Sequence, residues 1–318
     1  MGKIKDTEYA YSVAKVRAVE TRLLDRVKLQ RMAEAADVEE AVKILKESGY
    51  EGDDPEVMLS RELEKTYAFL RDISPSKEAF DIFLVKNDYH NIKVLLKAEF
   101  LGKDFDFLLT ESGRYPARLM KNVIENRSMK QLPQMMQEAV EQAVALFEKT
   151  GDPQLCDLEL DRAAYREMQE MAQETGSAYV QDIVATMADL INIRILARVR
   201  RMGKGVDFLL RALADGGKLK KTELVRDAQA KLSELLKGTP YESLAEHESD
   251  IAELEKQADN FLIGYIKKAK YITFGIEPLV AYLIAKENEI KLARIVLTGK
   301  KNNLPADVIK ERLRESYV

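Results

Sequence analysis

The chain repeats itself three times. An Asn is followed by Leu four residues on, by Lys or Arg two residues further, and by a Gly-Lys pair after four more residues. The first copy is Asn91, Leu95, Lys97, Gly102 and Lys103, the second Asn192, Leu196, Arg198, Gly203 and Lys204, and the third Asn288, Leu292, Arg294, Gly299 and Lys300. From Asn91 to Asn192 is 101 residues, and from Asn192 to Asn288 is 96. Flanking residues repeat as well: Asp106-Phe107-Leu108-Leu109 returns as Asp207-Phe208-Leu209-Leu210. Repeats of this kind limit a chain to a few architectures, because each copy is one structural unit that must pack against its neighbours. The spacing within a copy is helical. Asn and Leu lie one turn apart on one face, and a Gly past the end supplies the left-handed conformation that stops a helix cheaply. The basic residue near the end meets the negative pole of the helix dipole. The pattern predicts three helical modules, at 1–110, 111–212 and 213–318, with Leu95, Leu196 and Leu292 buried and Gly102, Gly203 and Gly299 each ending a helix at positive φ.

The rest of the chain reads as helix too. Tyr9, Val13, Val16, Val19, Leu23 and Val27 recur at three- and four-residue steps, which predicts one long first helix capped by Asp6 or Thr7. Breaks are expected at 48–55, at Ser74-Pro75, at 150–153, at 215–217 and at 237–240, where Gly, Pro, Asp and Ser gather. No stretch alternates apolar and polar residues as a half-buried strand does, so the fold class is all-α. Hydrophobic residues make up 46% of the 318, enough for sizeable cores. The longest apolar run, Leu279 to Ala285, is far short of the ~18 residues that span a bilayer. The opening residues lack the apolar stretch of a signal peptide, so no secretory leader is expected.

Little in the sequence supports catalysis. Each Gly-Lys pair invites comparison with a phosphate loop, but that loop needs a Gly five residues earlier and Ser or Thr after the Lys. Around Gly299-Lys300 those places hold Arg294 and Lys301. The histidines are His90 and His247, neither in a zinc-protease spacing, and the one cysteine, Cys156, cannot form an internal disulfide or a four-cysteine metal site. No cofactor and no metal is expected. Lys plus Arg number 50 and Asp plus Glu 54, a net charge of −4, so nothing in the charge balance points to nucleic acid. Two features suit contact with another protein. Arg198, Arg200, Arg201 and Lys204, with Arg194, form the densest basic cluster. Glu277, in Phe274-Gly275-Ile276-Glu277-Pro278, is the acidic residue with the most apolar setting. It stands where a helix N-terminus also explains it.

The segment from Phe274 to Lys300, with the end from Pro305 through Ile309 to Val318, resembles the C subunits of bacterial and archaeal V/A-type ATPases, relatives of the d subunit of the eukaryotic V-ATPase. The opening stretch Tyr9 to Arg17 and the stretch Asn87 to Lys93 are similar to that family as well, so the resemblance runs over the whole chain. It implies three modules arranged as a funnel around a pseudo-threefold axis. It implies a non-catalytic rotor adaptor between the central stalk, made of the D and F subunits, and the membrane proteolipid ring. Such an adaptor works at the cytoplasmic face and passes torque for ATP-coupled H⁺ or Na⁺ transport. A soluble helical-repeat scaffold that binds peptides or signalling proteins fits the same composition, as does an enzyme built from scattered carboxylates. Arg198, Arg200, Arg201, Lys204 and Glu277 stand as the candidate contact residues in the adaptor reading.

Overall fold

The structure, a computed structural model, describes residues 4–318. Its described residues form helices, turns and irregular segments, with no strand among them. In chain order the α-helices are α1 (Ala10–Glu20), α2 (Arg26–Glu34), α3 (Val38–Glu47), α4 (Pro55–Ile73), α5 (Asp81–Leu101), α6 (Ala117–Glu125), α7 (Gln134–Thr150) and α8 (Pro153–Glu174). They continue as α9 (Ala178–Arg201), α10 (Val206–Ala212), α11 (Lys221–Arg226), α12 (Leu232–Leu235), α13 (Ile251–Lys267), α14 (Glu277–Lys301) and α15 (Ala306–Glu311). The expected breaks fall between them. Asp54 opens α4 by accepting from the Val57 amide at 2.9 Å, with Pro55 in the first turn, and Asp152 opens α8 in the same way through Gln154, with Pro153 following.

The first helix is shorter than the periodicity predicts. It ends at Glu20, and α2 starts afresh at Arg26, where Asp25 accepts from the Lys28 amide at 2.8 Å. A tertiary bond fixes the break: the Leu24 amide donates to the Glu289 carboxylate on α14. Tyr9, Val13, Val16 and Leu23 are buried as expected, but Val27, beyond the break, is 63% exposed. Neither Asp6 nor Thr7 caps the helix. They lie in a 3-10 turn, Asp6–Tyr9, that leads into it.

Two compact units form. One comprises Met1–Phe80 and Ala252–Val318, the other Asp81–Ile251. In the first, α14 is central and packs against α1, α2, α3, α4 and α15. The apolar run Leu279 to Ala285 is almost wholly buried here, and a helix apolar all round belongs in such a core. Leu29, Met32, Leu45, Met58 and Leu59 meet Leu292, Val296 and Ile309 in one cluster. In the second unit α5, α7 and α9 all pack on α8, and Phe100 stacks on Phe147 with ring centroids 3.8 Å apart. Packing groups the chain in two while the repeat counts three, so the three-module division rests on the repeat.

The repeat has a consistent local geometry. Leu95, Leu196 and Leu292 are buried, on α5, α9 and α14. Each Asn fastens the chain that follows its helix. Asn91 donates to the Thr110 carbonyl at 2.8 Å and accepts from the Thr110 amide at 2.9 Å. Asn192 does the same with Ala214, at 3.1 and 2.7 Å, and Asn288 donates to the Glu315 carbonyl at 2.9 Å. Gly102 (φ 60°) and Gly203 (φ 64°) end their helices in left-handed turns. The Lys103 amide bonds back to the Ala98 carbonyl, and the Lys204 amide to that of Val199.

Gly299 departs from the expectation. It lies inside α14, which runs past its Asn further than the other two helices do, and Asn303 (φ 54°) makes the left-handed stop, with the Leu304 amide bonded to the Gly299 carbonyl. Asn tolerates this conformation better than other residues with a side chain. Gly299 is instead required by a close approach. A Cβ there would lie 2.7 Å from Cγ1 and 2.8 Å from Cδ1 of Ile309 on α15.

Candidate partner interface

The basic cluster stands at the C-terminal end of α9. Ser177 opens this helix by accepting from the Val180 amide, and Gly203 closes it. Over the last turns, Arg198 and Arg201 share a side of the helix, while Arg200 projects elsewhere. The structure separates their roles accordingly. Arg198, Arg201 and Lys204 are exposed, and the Lys204 ammonium lies 5.6 Å from the Phe208 ring centroid. Arg200 is turned into the protein. Its Nε donates to the Ala228 carbonyl at 2.7 Å, Nη2 to the Ala230 carbonyl at 2.6 Å and Nη1 to the Glu248 carboxylate at 2.6 Å. Burial lowers the Arg200 pKa, against the opposing pull of Glu248. Glu248 in turn accepts from the Leu232 amide. Arg200 is thus a strut that ties the stretch 228–248, which includes α12, to α9.

A cleft of about 450 Å³ lies beside this cluster. Its floor is α8 and its walls are α5 and α9, with α10 at one end. Leu158, Ile191, Ile195, Met202 and Phe208 give it an apolar lining. Lys86 and Lys93 on α5 and Arg198 on α9 bring positive charge to both walls, and His90 also lines the α5 side. Lys86 sits 5.1 Å from the Tyr165 ring, and Lys93 pairs with Asp161 at 2.6 Å. His90 donates from Nε2 to the Leu108 carbonyl at 2.9 Å, and the next residue back, Phe107, is 80% exposed. Sequence reasoning missed this cleft. Its one signal was the half-buried Ile191 and Ile195, one turn apart on the face of α9 away from the core.

Glu277 belongs to the other compact unit, at the first position of α14. Gly275 (φ 107°) folds the preceding loop so closely that a Cβ there would fall 2.2 Å from Glu277 Oε2. Oε2 is buried with no hydrogen-bond partner. Burial raises the Glu277 pKa, Asp6 adds to the rise, and a backbone hydrogen bond opposes it. The structure does not place Glu277 with the basic cluster in one unit.

Beneath these surfaces run buried polar networks that fix the repeat helices. On α5, Asp88 accepts from the Arg114 and Tyr115 amides and from Arg114 Nε at 2.6 Å, while Arg114 also pairs with Glu167 at 2.7 Å. Burial raises the Asp88 pKa, with Arg114 pulling the other way. On α9, Asp189 accepts from the Lys218 and Leu219 amides and from the Tyr241 hydroxyl, again with its pKa raised by burial. On α14 the corresponding position is Ala285, and a different group does the work. Lys286, 4% exposed, donates to Glu289 at 2.7 Å and Glu62 at 3.0 Å, and Glu289 also accepts from the Tyr50 hydroxyl. Burial works hardest against the Lys286 charge, but Glu289, Tyr282 and Glu62 together outweigh it and the pKa lies above its ordinary value. Every member of these networks is paired, as buried charge must be, and none opens into the cleft. Among the described residues no group of His, Cys, Asp or Glu could hold a metal ion, and no helix is long and apolar enough to cross a membrane.

Comparison with known proteins adds what geometry alone does not. The family described as "ATP synthase (C/AC39) subunit" matches residues 12–312. The C subunit of the V-type sodium ATPase of Enterococcus hirae is 27% identical over 317 residues, covering 95% of this chain and 97% of that protein. The C subunit of the A-type ATP synthase of Methanocaldococcus jannaschii is 25% identical, covering 96% of this chain and 86% of its own length. That of Thermococcus gammatolerans is 25% identical, covering 97% and 92%.

Proposed function

The chain belongs to the ATP synthase (C/AC39) subunit family, and from that premise we propose that it is the non-catalytic rotor adaptor of a V/A-type ATPase. In this reading it joins the central stalk, formed by the D and F subunits, to the proteolipid ring at the cytoplasmic face, and passes torque between ATP chemistry and H⁺ or Na⁺ movement. The observation that carries it is the match along nearly the whole chain to proteins named as the C subunits of V-type and A-type enzymes. The three repeat helices, each fastened by its Asn, support a division into modules at 1–110, 111–212 and 213–318. Set around a pseudo-threefold axis as a funnel, three such modules give a concavity for a stalk and a broad opposite face for a ring. Each grip must bury roughly 1,000 Å² or more to persist under load. Arg198, Arg201 and Lys204, exposed at one helix end, are suited to such a contact, and Glu277 is a further candidate. Arg200 acts from within, by holding the neighbouring stretch in shape.

Reconstitution tests the proposal. Head, stalk and ring are assembled with and without this chain, and ATP-driven ion transport is measured in vesicles. Transport should be coupled to ATP hydrolysis only when the chain is present, and the purified chain alone should not turn over ATP. Coupled transport without it, or ATP turnover by the chain alone, would overturn the reading.

A further inference from the structure

The segment that follows α15 is the least fastened by the device the repeats share. In the first two copies the Asn bonds in both directions, to Thr110 and to Ala214. An Asp three residues before it then takes the two amides that lie four and five residues further on. Asp88 holds those of Arg114 and Tyr115, and Asp189 those of Lys218 and Leu219. In the third copy Ala285 stands in place of that Asp, and Asn288 gives a single bond, to the Glu315 carbonyl. Residues 313–318 form neither helix nor strand, so groups outside the segment must hold its backbone.

Those groups lie on one surface loop and the helices around it. The Glu315 amide donates to Asn260 Oδ1 on α13 at 2.8 Å. The Lys270 ammonium donates to the Tyr317 carbonyl at 2.7 Å and stands 4.5 Å from the centroid of the Tyr317 ring. Tyr317 is 3% exposed, and with Ser316 it borders a small space lined by Leu23, Leu24, Ala285 and Leu292. Its phenol faces the ion pair of Arg17 and Glu20 on α1.

The loop that Lys270 belongs to, 268–275, carries Tyr271 at 90% exposure and Phe274 at 47%. Its backbone is nonetheless tied. Arg17 Nη2 donates to the carbonyls of Ala269, Lys270 and Ile272 at 2.7, 3.0 and 3.0 Å, and the Gly275 amide donates to the Asp6 carbonyl at 3.2 Å. Two aromatic rings are thus left in water on a fixed frame. The segment 314–318 closes over both ties: Lys270 joins it to the loop, and Tyr317 lies against the arginine that joins the loop to α1. Leu313 packs on the core cluster of this unit, whereas 314–318 take no part in that cluster, so the segment is free to lift about Leu313 with the core intact.

We propose that residues 314–318 form a strap: docked through Tyr317, it holds the loop 268–275 against α1 with Tyr271 and Phe274 displayed, and lifted, it releases that loop. Strap and loop are then one two-state element, and whatever engages either of them biases the other. The strap does not depend on the adaptor reading.

Hydrogen exchange on the full chain tests it in both directions. In Tyr317→Ala the amides of Ile272 and Gly275, bonded to the Ala269 and Asp6 carbonyls, should exchange at least tenfold faster, while those within α14 keep their rates. In Lys270→Met, a change on the loop, the Glu315 amide should exchange at least tenfold faster in return. Three results overturn the strap. The first is unchanged exchange at Ile272 and Gly275 in Tyr317→Ala. The second is an equal rise through α1 and α14, which makes Tyr317 a general support of the unit. The third is an unchanged Glu315 amide in Lys270→Met, which leaves loop and strap uncoupled.

Discussion

Gly299 and Ile309 offer a sharp test of how α14 and α15 are held together. In Gly299→Ala two effects oppose each other. Gly299 has helical geometry inside α14, so Ala should gain about 1 kcal/mol of helix propensity. The new Cβ, however, would lie 2.7 and 2.8 Å from Cγ1 and Cδ1 of Ile309, which is 1% exposed and has little room to move. Forcing an extra methyl into a packed site costs roughly 1–3 kcal/mol. The sum is a net loss of up to about 2 kcal/mol, smaller than the clash alone suggests. Ile309→Ala by itself should cost roughly 2–5 kcal/mol as a cavity substitution. The double variant is the informative one. Cγ1 and Cδ1 are gone, the remaining Ile309 Cβ position is 3.7 Å away, and the Ala at 299 fits. It should therefore be about 1 kcal/mol more stable than Ile309→Ala, so that Gly299→Ala changes sign between the two backgrounds. Urea denaturation of the four proteins gives the coupling directly. Gly203→Ala serves as the control: no atom stands within 4 Å of a Cβ there, so its cost of about 1 kcal/mol comes from the left-handed backbone alone and should be the same whatever stands at 309. If Gly299→Ala destabilises equally in both backgrounds, the close approach to Ile309 is not what requires glycine.

Leu196→Ala, at a fully buried position of α9, should destabilise by roughly 2–5 kcal/mol in urea denaturation, and no loss would mean that the repeat leucines do not hold the core. Arg200→Ala leaves two backbone carbonyls and one oxygen of Glu248, Oε1, without their Arg200 donor, and should cost roughly 2–3 kcal/mol, whereas exposed Arg201→Ala should stay within about 0.5 kcal/mol. Equal effects of the two would refute the division between strut and surface. Burial lifts the Glu277 pKa, so the folded chain holds that proton more tightly than the unfolded chain. The parent then loses stability as pH rises from the ordinary carboxylate value through the raised one, and Glu277→Gln should gain on it as pH climbs from about 4 toward neutrality. A stability difference that does not change with pH would show that the buried carboxylate has no energetic consequence.

Much of the local structure was legible because it is written in short spacings. The Asn and Leu of each repeat, the turns before Pro55 and Pro153, and the stops at Gly102 and Gly203 all depend on residues within a turn or two of one another. What stayed hidden depends on distant residues. The break after α1 follows from the Leu24 amide reaching Glu289, 265 residues on. The role of Gly299 follows from Ile309 on another helix, and the same repeat letter therefore serves two different purposes. Arg200 looks like its basic neighbours in sequence, and only the folded stretch 228–248 shows that it points inward. The cleft is assembled from four helices, so no single segment announces it.

The makeup of the first compact unit bears on the order in which the chain acquires structure during synthesis. Asp81–Ile251 is continuous and emerges from the ribosome complete, free to close its core at once. The other unit is built from both ends of the chain. Leu45, Met58 and Leu59 have their core partners Leu292 and Val296 more than 230 residues later, a wait of roughly ten to fifty seconds at ordinary translation speeds. For that interval the faces of α2, α3 and α4 that α14 covers in the folded chain stand without it, and a nascent chain in this state is a ready client for chaperones. A permuted gene that places residues 252–318 ahead of residue 1 would abolish the wait, and would make the two halves of that core neighbours in time as well as in space.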